Sequence, residues 1–257
     1  MGLDSTALAA LDRRIRLEQR LADPRGKVSG ADKVVAAVMA MLLIVAIFGT
    51  GSYLAIGITG EKQVRMTEVV VSAIRPQSWI DGKIIAYTLL GAVQAVLWAM
   101  TGVAFLFFTR AMAMPAALNA GVIVASLAFF VLGLAFYVAL FSIIMATIKD
   151  LQSSSKLQAY FFFLPMIPLI FLEGMLRSPD ATWIAVLSIM PPFSPIMIPV
   201  RLALAAVPWW EVVLALVLLV VATHYLRLAA GHAFRIGMLM YGKELNLPEL
   251  WRWARQP

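Results

Sequence analysis

Ionisable side chains are scarce in the apolar body of this chain, and the most informative run of them lies between Gly60 and Lys83, which reads GEKQVRMTEVVVSAIRPQSWIDGK. At about 100° per residue, Glu61, Arg65, Glu68, Ser72 and Arg75 share an arc of roughly 80°. Met66, Thr67, Val70, Val71 and Ile74 take the opposite side. Glu61 and Arg65 stand four apart in the order that favours a helical ion pair, and Pro76 ends the pattern. The expectation is an amphipathic helix with charge on one face and an apolar surface on the other. The pattern alone fits a plain connector or a docking element for a partner.

Elsewhere polar chemistry is thin. Glu173 lies in an apolar stretch, where an ionisable group is a candidate for a transport path or gate unless it simply reaches interfacial water. Gln94 reads as an interhelical hydrogen-bonding residue or a substrate ligand. Arg201 stands in a proline-rich segment, where it pairs locally or belongs to a gate. There are no cysteines, which excludes disulfides and thiolate metal sites. His224 and His232 are the only histidines and have no third ligand near them in sequence, so no metal site is expected. A phosphate-binding loop of the G-x-x-x-x-G-K-[ST] form is absent; the cluster Gly49, Gly51 and Gly57 lacks the lysine.

The elements that must position these residues are membrane spans. Of the 257 residues, 62% are hydrophobic and 14% charged, against about 45–50% and ~25% in soluble domains. The apolar residues fall in blocks long enough to cross the hydrocarbon, which takes roughly 20 residues per helix. The fold expected is an all-α integral membrane protein. Five full spans fall at about 34–58, 84–108, 120–148, 157–176 and 210–228, the fourth kinked by Pro165 and Pro168. Residues 181–207 are apolar but hold Pro191, Pro192, Pro195 and Pro199. A straight span would lose several backbone hydrogen bonds there, so a broken or re-entrant pair of short helices is expected. The permease-like body is thus 34–230, with an amphipathic segment at 1–33 and a basic tail at 231–257.

The net charge of +7 is read as cationic flanks beside spans rather than as a nucleic-acid footprint. The 61–83 loop holds four Lys/Arg, the 149–156 loop two, and the segment from Arg227 onward five. Arg110, Arg177 and Arg201 are the only cations between spans on the other side. That bias puts the first group and the C-terminus in the cytoplasm. The seven cations before Val34 then run against the rule, unless they close a translocated domain. Leu8, Leu11, Ile15 and Ala22 recur at helical spacing, which fits a solvated helix, the remnant of a larger domain, or a helix on the membrane surface.

Three blocks resemble one family. Glu61-Lys62, Arg65, Glu68 and Gly82-Lys83 look like the E-K-x-x-R-x-x-E…G-K cytoplasmic loop of type-2 ABC exporter permeases, in particular the sodium-efflux-like branch. Pro191, Phe193, Ser194, Pro195, Pro199 and Arg201 resemble its P-x-F-S-P…P-x-R extracytoplasmic hairpin. Arg235, Gly237, Leu239, Tyr241, Gly242 and Lys243 resemble its C-terminal R-x-G-x-L-x-Y-G-K segment. Gly60 stands where the loop usually has a further acidic residue. The resemblance covers about residues 31–257 and matches the C-terminal membrane portion of such a permease, with residues 1–33 as the end of its extracytoplasmic domain.

The resemblance implies a prokaryotic inner-membrane permease that works as a homodimer or pseudo-dimer. A separate ATP-binding cassette subunit would bind the ATP and Mg, while this chain would bind no cofactor. Glu61, Lys62, Arg65, Glu68 and Lys83 would carry the coupling, and Gln94, Glu173 and Arg201 would be the pathway or gate candidates. Two rivals are weighed against it. Glu61-x-x-x-Arg65 overlaps the E-E-x-x-x-R signature of prenyl-protease-type intramembrane enzymes, but Gly60 breaks the acidic pair and both histidines lie near the far end. A non-transporting assembly factor would have no reason to carry the coupling helix.

Overall fold

The computed structural model describes residues 30–63, 73–108, 120–147 and 163–239, and among these the regular structure is all helical. The helices are α1 (Gly30–Gln63), α2 (Pro76–Phe108), α3 (Ala120–Thr147), α4 (residues 163–170), α5 (Leu172–Arg177), α6 (Thr182–Ile189), α7 (Ser194–Leu204) and α8 (Trp209–Leu239). At about 1.5 Å per residue, α1, α2, α3 and α8 exceed the ~30 Å of a bilayer's hydrocarbon. Each contains a segment long and apolar enough to cross it: Asp32–Glu61, Pro76–Thr101, Ala120–Ala146 and Trp209–Arg235. The outward faces are apolar too, with Val93, Val96 and Leu97 on α2 and Val213, Val217 and Val220 on α8 all exposed. That distribution suits lipid as solvent, where backbone polar groups must be satisfied within each helix. Hydroxyls do the same: Ser52, Thr59, Ser142 and Thr223 donate to the carbonyls of Phe48, Ala55, Val138 and Leu219, one turn back.

Helices α1 and α2 run antiparallel, and close approach at glycines sets their register. Thr50 sits against Gly91, Tyr87 over Gly57, and the Gln94 amide about 3.0 Å from where a Cβ on Gly49 would lie. Gly51 faces the ring of Phe141 on α3 in the same manner. Removing the side chain at such points lets helix backbones approach in a medium where packing replaces the hydrophobic effect.

The centre of the bundle is α7, all eleven of whose residues are buried. It packs against α1 and α3. The turn that precedes it reaches deep. Tyr137, about 26 Å along α3, donates its hydroxyl to the Pro192 carbonyl at 2.5 Å, and Pro195 abuts Gly133. Proline suits the start of α7, where no helical N–H is required. Helices α6 and α7 are therefore a pair of short helices folded into the bundle, as the prolines led one to expect.

Three boundaries differ from the sequence expectation. Residues 61–63 continue α1 without a break, because nothing in Thr59-Gly60-Glu61 interrupts its hydrogen bonding. Pro76 opens α2 rather than lying in a loop that extends to Lys83, since helix N1 tolerates the missing N–H. Residues 231–239 belong to α8 rather than to a separate tail. The fourth expected span, 157–176, begins outside the described residues. Its described part is α4 and α5, separated at Phe171, whose N–H bonds the Pro168 carbonyl at 3.2 Å. The kink thus falls one turn beyond the prolines. Residues 64–72, most of the expected amphipathic helix, also lie outside the described residues, as do 1–29 and 240–257.

A Cβ on Gly133 would collide with a rigid proline ring, whereas one on Gly91 would meet chiefly a rotatable hydroxyl. Gly133→Ala is expected to cost about 1–3 kcal/mol, and Gly91→Ala less. Thermal unfolding of the detergent-solubilised protein, followed by tryptophan fluorescence, checks the order. Equal losses would show that the α3–α7 contact yields as readily as the α1–α2 contact.

Candidate functional site

Polar chemistry gathers at the two ends of the bundle. At one, here the loop end, the last turn of α1, the first turns of α2 and the last turns of α8 meet. Lys83 is the hub. Its ammonium lies 2.8 Å from the Glu61 carboxylate and 4.3 Å from the centroid of the Trp79 ring. Its side chain is only 12% exposed, so the cation–π contact is partly desolvated and stronger than at an open surface. Trp79 in turn stacks on Phe234 of α8, with centroids 4.4 Å apart and planes 13° off parallel. Asp81 lies 3.0 Å from Arg227, and Gln77 donates to the Asp81 carboxylate at 2.9 Å and to the Arg227 carbonyl at 3.2 Å. The Gln77 side chain lies over Gly231, where any Cβ would displace it. Three helices are thereby fastened at one level, on both sides of the segment that joins α1 to α2.

The opposite, hairpin end holds a buried charge pair. Arg201 of α7 is 1% exposed and Glu211 of α8 is 6% exposed. Their side chains meet at 2.7 Å. The guanidinium also donates to Ser188 Oγ of α6 at 2.7 Å and, through Nε, to the Pro179 carbonyl at 3.1 Å. One side chain thus ties α6, α7, α8 and the turn after α5 together. Arginine fits this role because its planar fork reaches several acceptors at once and keeps its charge when buried.

The coupling candidates Glu61 and Lys83 come together at the loop end. Lys62 continues α1 beside Glu61, while Arg65 and Glu68 lie outside the described residues. The pathway candidates do not share a site. Glu173 pairs with Arg177 at 2.6 Å, and both side chains are at least three-quarters exposed. Gln94 is packed between α1 and α2, its Oε1 buried without a hydrogen-bond partner. Arg201 is the centre of the hairpin clamp. Sequence reasoning missed Glu211, Asp81, Arg227 and Trp79. Trp79 and Lys83 stand at i, i+4, a spacing that signals contact on a helix face. Glu211 and Arg227 gave no local signal, because their partners lie on other helices.

Comparison with known proteins gives the context. Residues 19–229 match the family model described as ABC-2 family transporter protein. The chain belongs to that family. Among relatives of the ABC-2 chain, the uncharacterized protein MJ1024 of Methanocaldococcus jannaschii is 24% identical over 80% of this chain and 50% of its own length. The uncharacterized protein YhaP of Bacillus subtilis is 23% identical over 80% of this chain and 51% of its own length. The chain thus spans about half the length of these curated relatives. No solved structure matches it. Membership in this non-catalytic permease family makes the ABC-2 chain a non-enzymatic membrane component, which displaces the protease reading. The described residues also hold no group of three or more metal-ligating side chains. Prokaryotic relatives and several long apolar helices support a multi-pass membrane protein of a prokaryote.

Removing one member of the hairpin clamp leaves a buried charge without its counterion, at a cost of about 3–5 kcal/mol. Arg201→Met and Glu211→Leu are each expected to lower the thermal midpoint sharply. The double variant should recover most of the loss, since an apolar pair needs no desolvation compensation. A double variant as unstable as the sum of the singles would show that the two side chains act independently.

Proposed function

We propose that this chain is the permease subunit of an ATP-driven exporter, with its loop end in the cytoplasm and docked on a separate ATP-binding subunit. That subunit binds ATP and Mg, and its closing and opening press on the segment between α1 and α2. Glu61, Lys62, Arg65, Glu68 and Lys83 carry the coupling. Two permease copies, identical or homologous, form the pathway, and the α6–α7 hairpin with Arg201 closes its outer end. The blocks around Glu61, Pro191 and Arg235 support assignment to the sodium-efflux-like branch. The C-terminus lies in the cytoplasm.

The observation that carries the reading is the Glu61–Lys83 pair. It joins the roots of residues 64–72 on both sides at 2.8 Å, and Lys83 is itself held by Trp79 against α8. A displacement of that segment therefore reaches α1 and α2 together rather than bending one helix end. Lys83 is largely buried while Glu61 is about a third exposed, so the pair fixes geometry at the boundary between the bundle and its surroundings.

Charge reversal at both Glu61 and Glu68 is expected to lower permease-dependent ATP turnover at least about tenfold. Turnover is measured on the ABC-2 chain co-reconstituted with its ATP-binding subunit, and membrane insertion should stay unchanged. Full turnover in that variant would remove the coupling assignment and favour a non-transporting assembly role.

A further inference from the structure

Helix α8 is held at both ends and only loosely between them. At the loop end Arg227 lies 3.0 Å from Asp81, and its carbonyl accepts a hydrogen bond from Gln77 at 3.2 Å. The Gln77 side chain covers Gly231, and Phe234 stacks on Trp79. All three partners belong to the first turns of α2. At the hairpin end Glu211 is buried against Arg201 of α7, whose guanidinium also reaches Ser188 of α6. Ala215 and Leu219 are buried one and two turns beyond Glu211, and Ala230, Ala233 and Phe234 are buried at the other end. None of residues 220–229 is buried. The helix thus has two anchors and a middle that no buried side chain keys to its neighbours.

Two properties make these anchors act on each other. The first is stiffness. Between Glu211 and Phe234 there is no proline, and the one glycine, Gly231, sits under Gln77. Sharp kinks need proline, a glycine pair or an inserted group, so this stretch shifts as a rod. It is about 35 Å long, more than the ~30 Å of a bilayer's hydrocarbon. The second is the short range of the hairpin anchor. Glu211 and Arg201 meet at 2.7 Å, and a slide of α8 by about 1 Å takes them beyond hydrogen-bond distance. Two charges would then be left apart in the interior, so the pair resists any change in where α8 stands. The loop-end anchor sets that position from α2, beside the Lys83 that holds α1 through Glu61.

We infer that α8 is a transmembrane strut, positioned at the loop end by Trp79 and Asp81, that through Glu211 sets how firmly Arg201 holds the α6–α7 hairpin. Trp79, Asp81, Arg227, Phe234 and Glu211 are its positioning residues. The use of the strut in transport rests on the exporter reading, in which a partner moves the loop end. The link itself belongs to this chain and is measured without ATP.

The test follows amide hydrogen exchange by mass spectrometry on the full chain in phosphatidylcholine nanodiscs. Asp81→Asn with Phe234→Leu releases the loop-end anchor and leaves Glu61, Lys83 and Trp79 in place. Exchange in α7 is expected to quicken at least about fivefold, the low end of coupling between sites, and residues 84–95 of α2 less than about twofold. Coupling is reciprocal, so Glu211→Gln should quicken exchange in residues 230–235 by a similar factor. Asp81→Arg alone should act like the loop-end variant, and adding Arg227→Asp should recover most of the α7 protection. Unchanged α7 exchange after release of the loop end would overturn the strut. An equal rise in α7 and in residues 84–95, the mark of a global loss of stability, would overturn it too. Should Glu211→Gln fail to fold, the loop-end variants still decide, since the Asp81–Arg227 pair is partly exposed and its loss costs little stability. The assay contains no ATP-binding subunit, so a failed strut leaves the turnover result standing, and a failed exporter reading leaves the exchange pattern standing.

Discussion

The buried Arg201–Glu211 pair is the constraint on which the centre of this molecule depends. Taking two charges out of water costs several kcal/mol per ion, repaid only when geometry is good and the remaining hydrogen-bonding capacity is met. Here the contact is 2.7 Å, and Ser188 and the Pro179 carbonyl take the further guanidinium donors. The arrangement exists only if α6, α7, α8 and the turn after α5 converge on one point. That convergence lets α7, a proline-bearing helix of eleven residues, occupy the middle of the bundle. A short helix with Pro199 inside it has a weakened backbone ladder, and fixed neighbours must supply the order that the ladder lacks. The clamp fixes one end of α7. The Tyr137 hydroxyl, bonded to the Pro192 carbonyl, fixes the turn at the other.

Helix α1 connects this centre to the loop end. It runs from Gly30 to Gln63 as one helix and packs against α7 and α3 along the way. Gly49, Gly51 and Gly57 bring α2 and α3 close without breaking it. A continuous helix packed on a buried one passes displacement by rigid movement. Under the exporter reading, this makes α1 the lever between the segment after Gln63 and the hairpin. The stacked Lys83, Trp79 and Phe234 give that lever a fixed neighbour on α2 and α8.

Much of this architecture was legible in the sequence, for stated reasons. Blocks of apolar residues longer than the hydrocarbon is thick announce spans, and four of the five expected ones appear as helices of crossing length among the described residues. The prolines from Pro191 to Pro199 announced a broken hairpin, because each removes a backbone donor. Helix ends were less legible. Charged residues such as Glu61 and Asp81 mark where lipid stops, not where the helix stops, so α1 and α2 both run past the apolar limits. The partners in the site were not legible at all. Arg201 and Glu211 are ten residues apart but on different helices, and Asp81 meets Arg227 across 146 positions. Such pairings depend on how helices cross, and no local period encodes that. Glu173 shows the converse. It was a gate candidate unless it reached interfacial water, and the structure shows it as an exposed partner of Arg177, one turn on in the same short helix.

The clamp and the loop-end contacts are related through which helices they join. Helices α1 and α2 are tied at four levels: Glu61 to Lys83, Gly57 to Tyr87, Thr50 to Gly91, and Gly49 to Gln94. They move most readily as one body. Gly133 and Tyr137 bind α3 to the hairpin. The fixed parts of the bundle are therefore the α1–α2 pair and the clamped α7. Helix α8 is tied to both ends, through Glu211 to the clamp and through Phe234 and Arg227 to α2, so α1 and α2 cannot tilt about the hairpin without straining one of those contacts. The polar contacts at the two ends thus make α8 the member that links the loop end to the hairpin end.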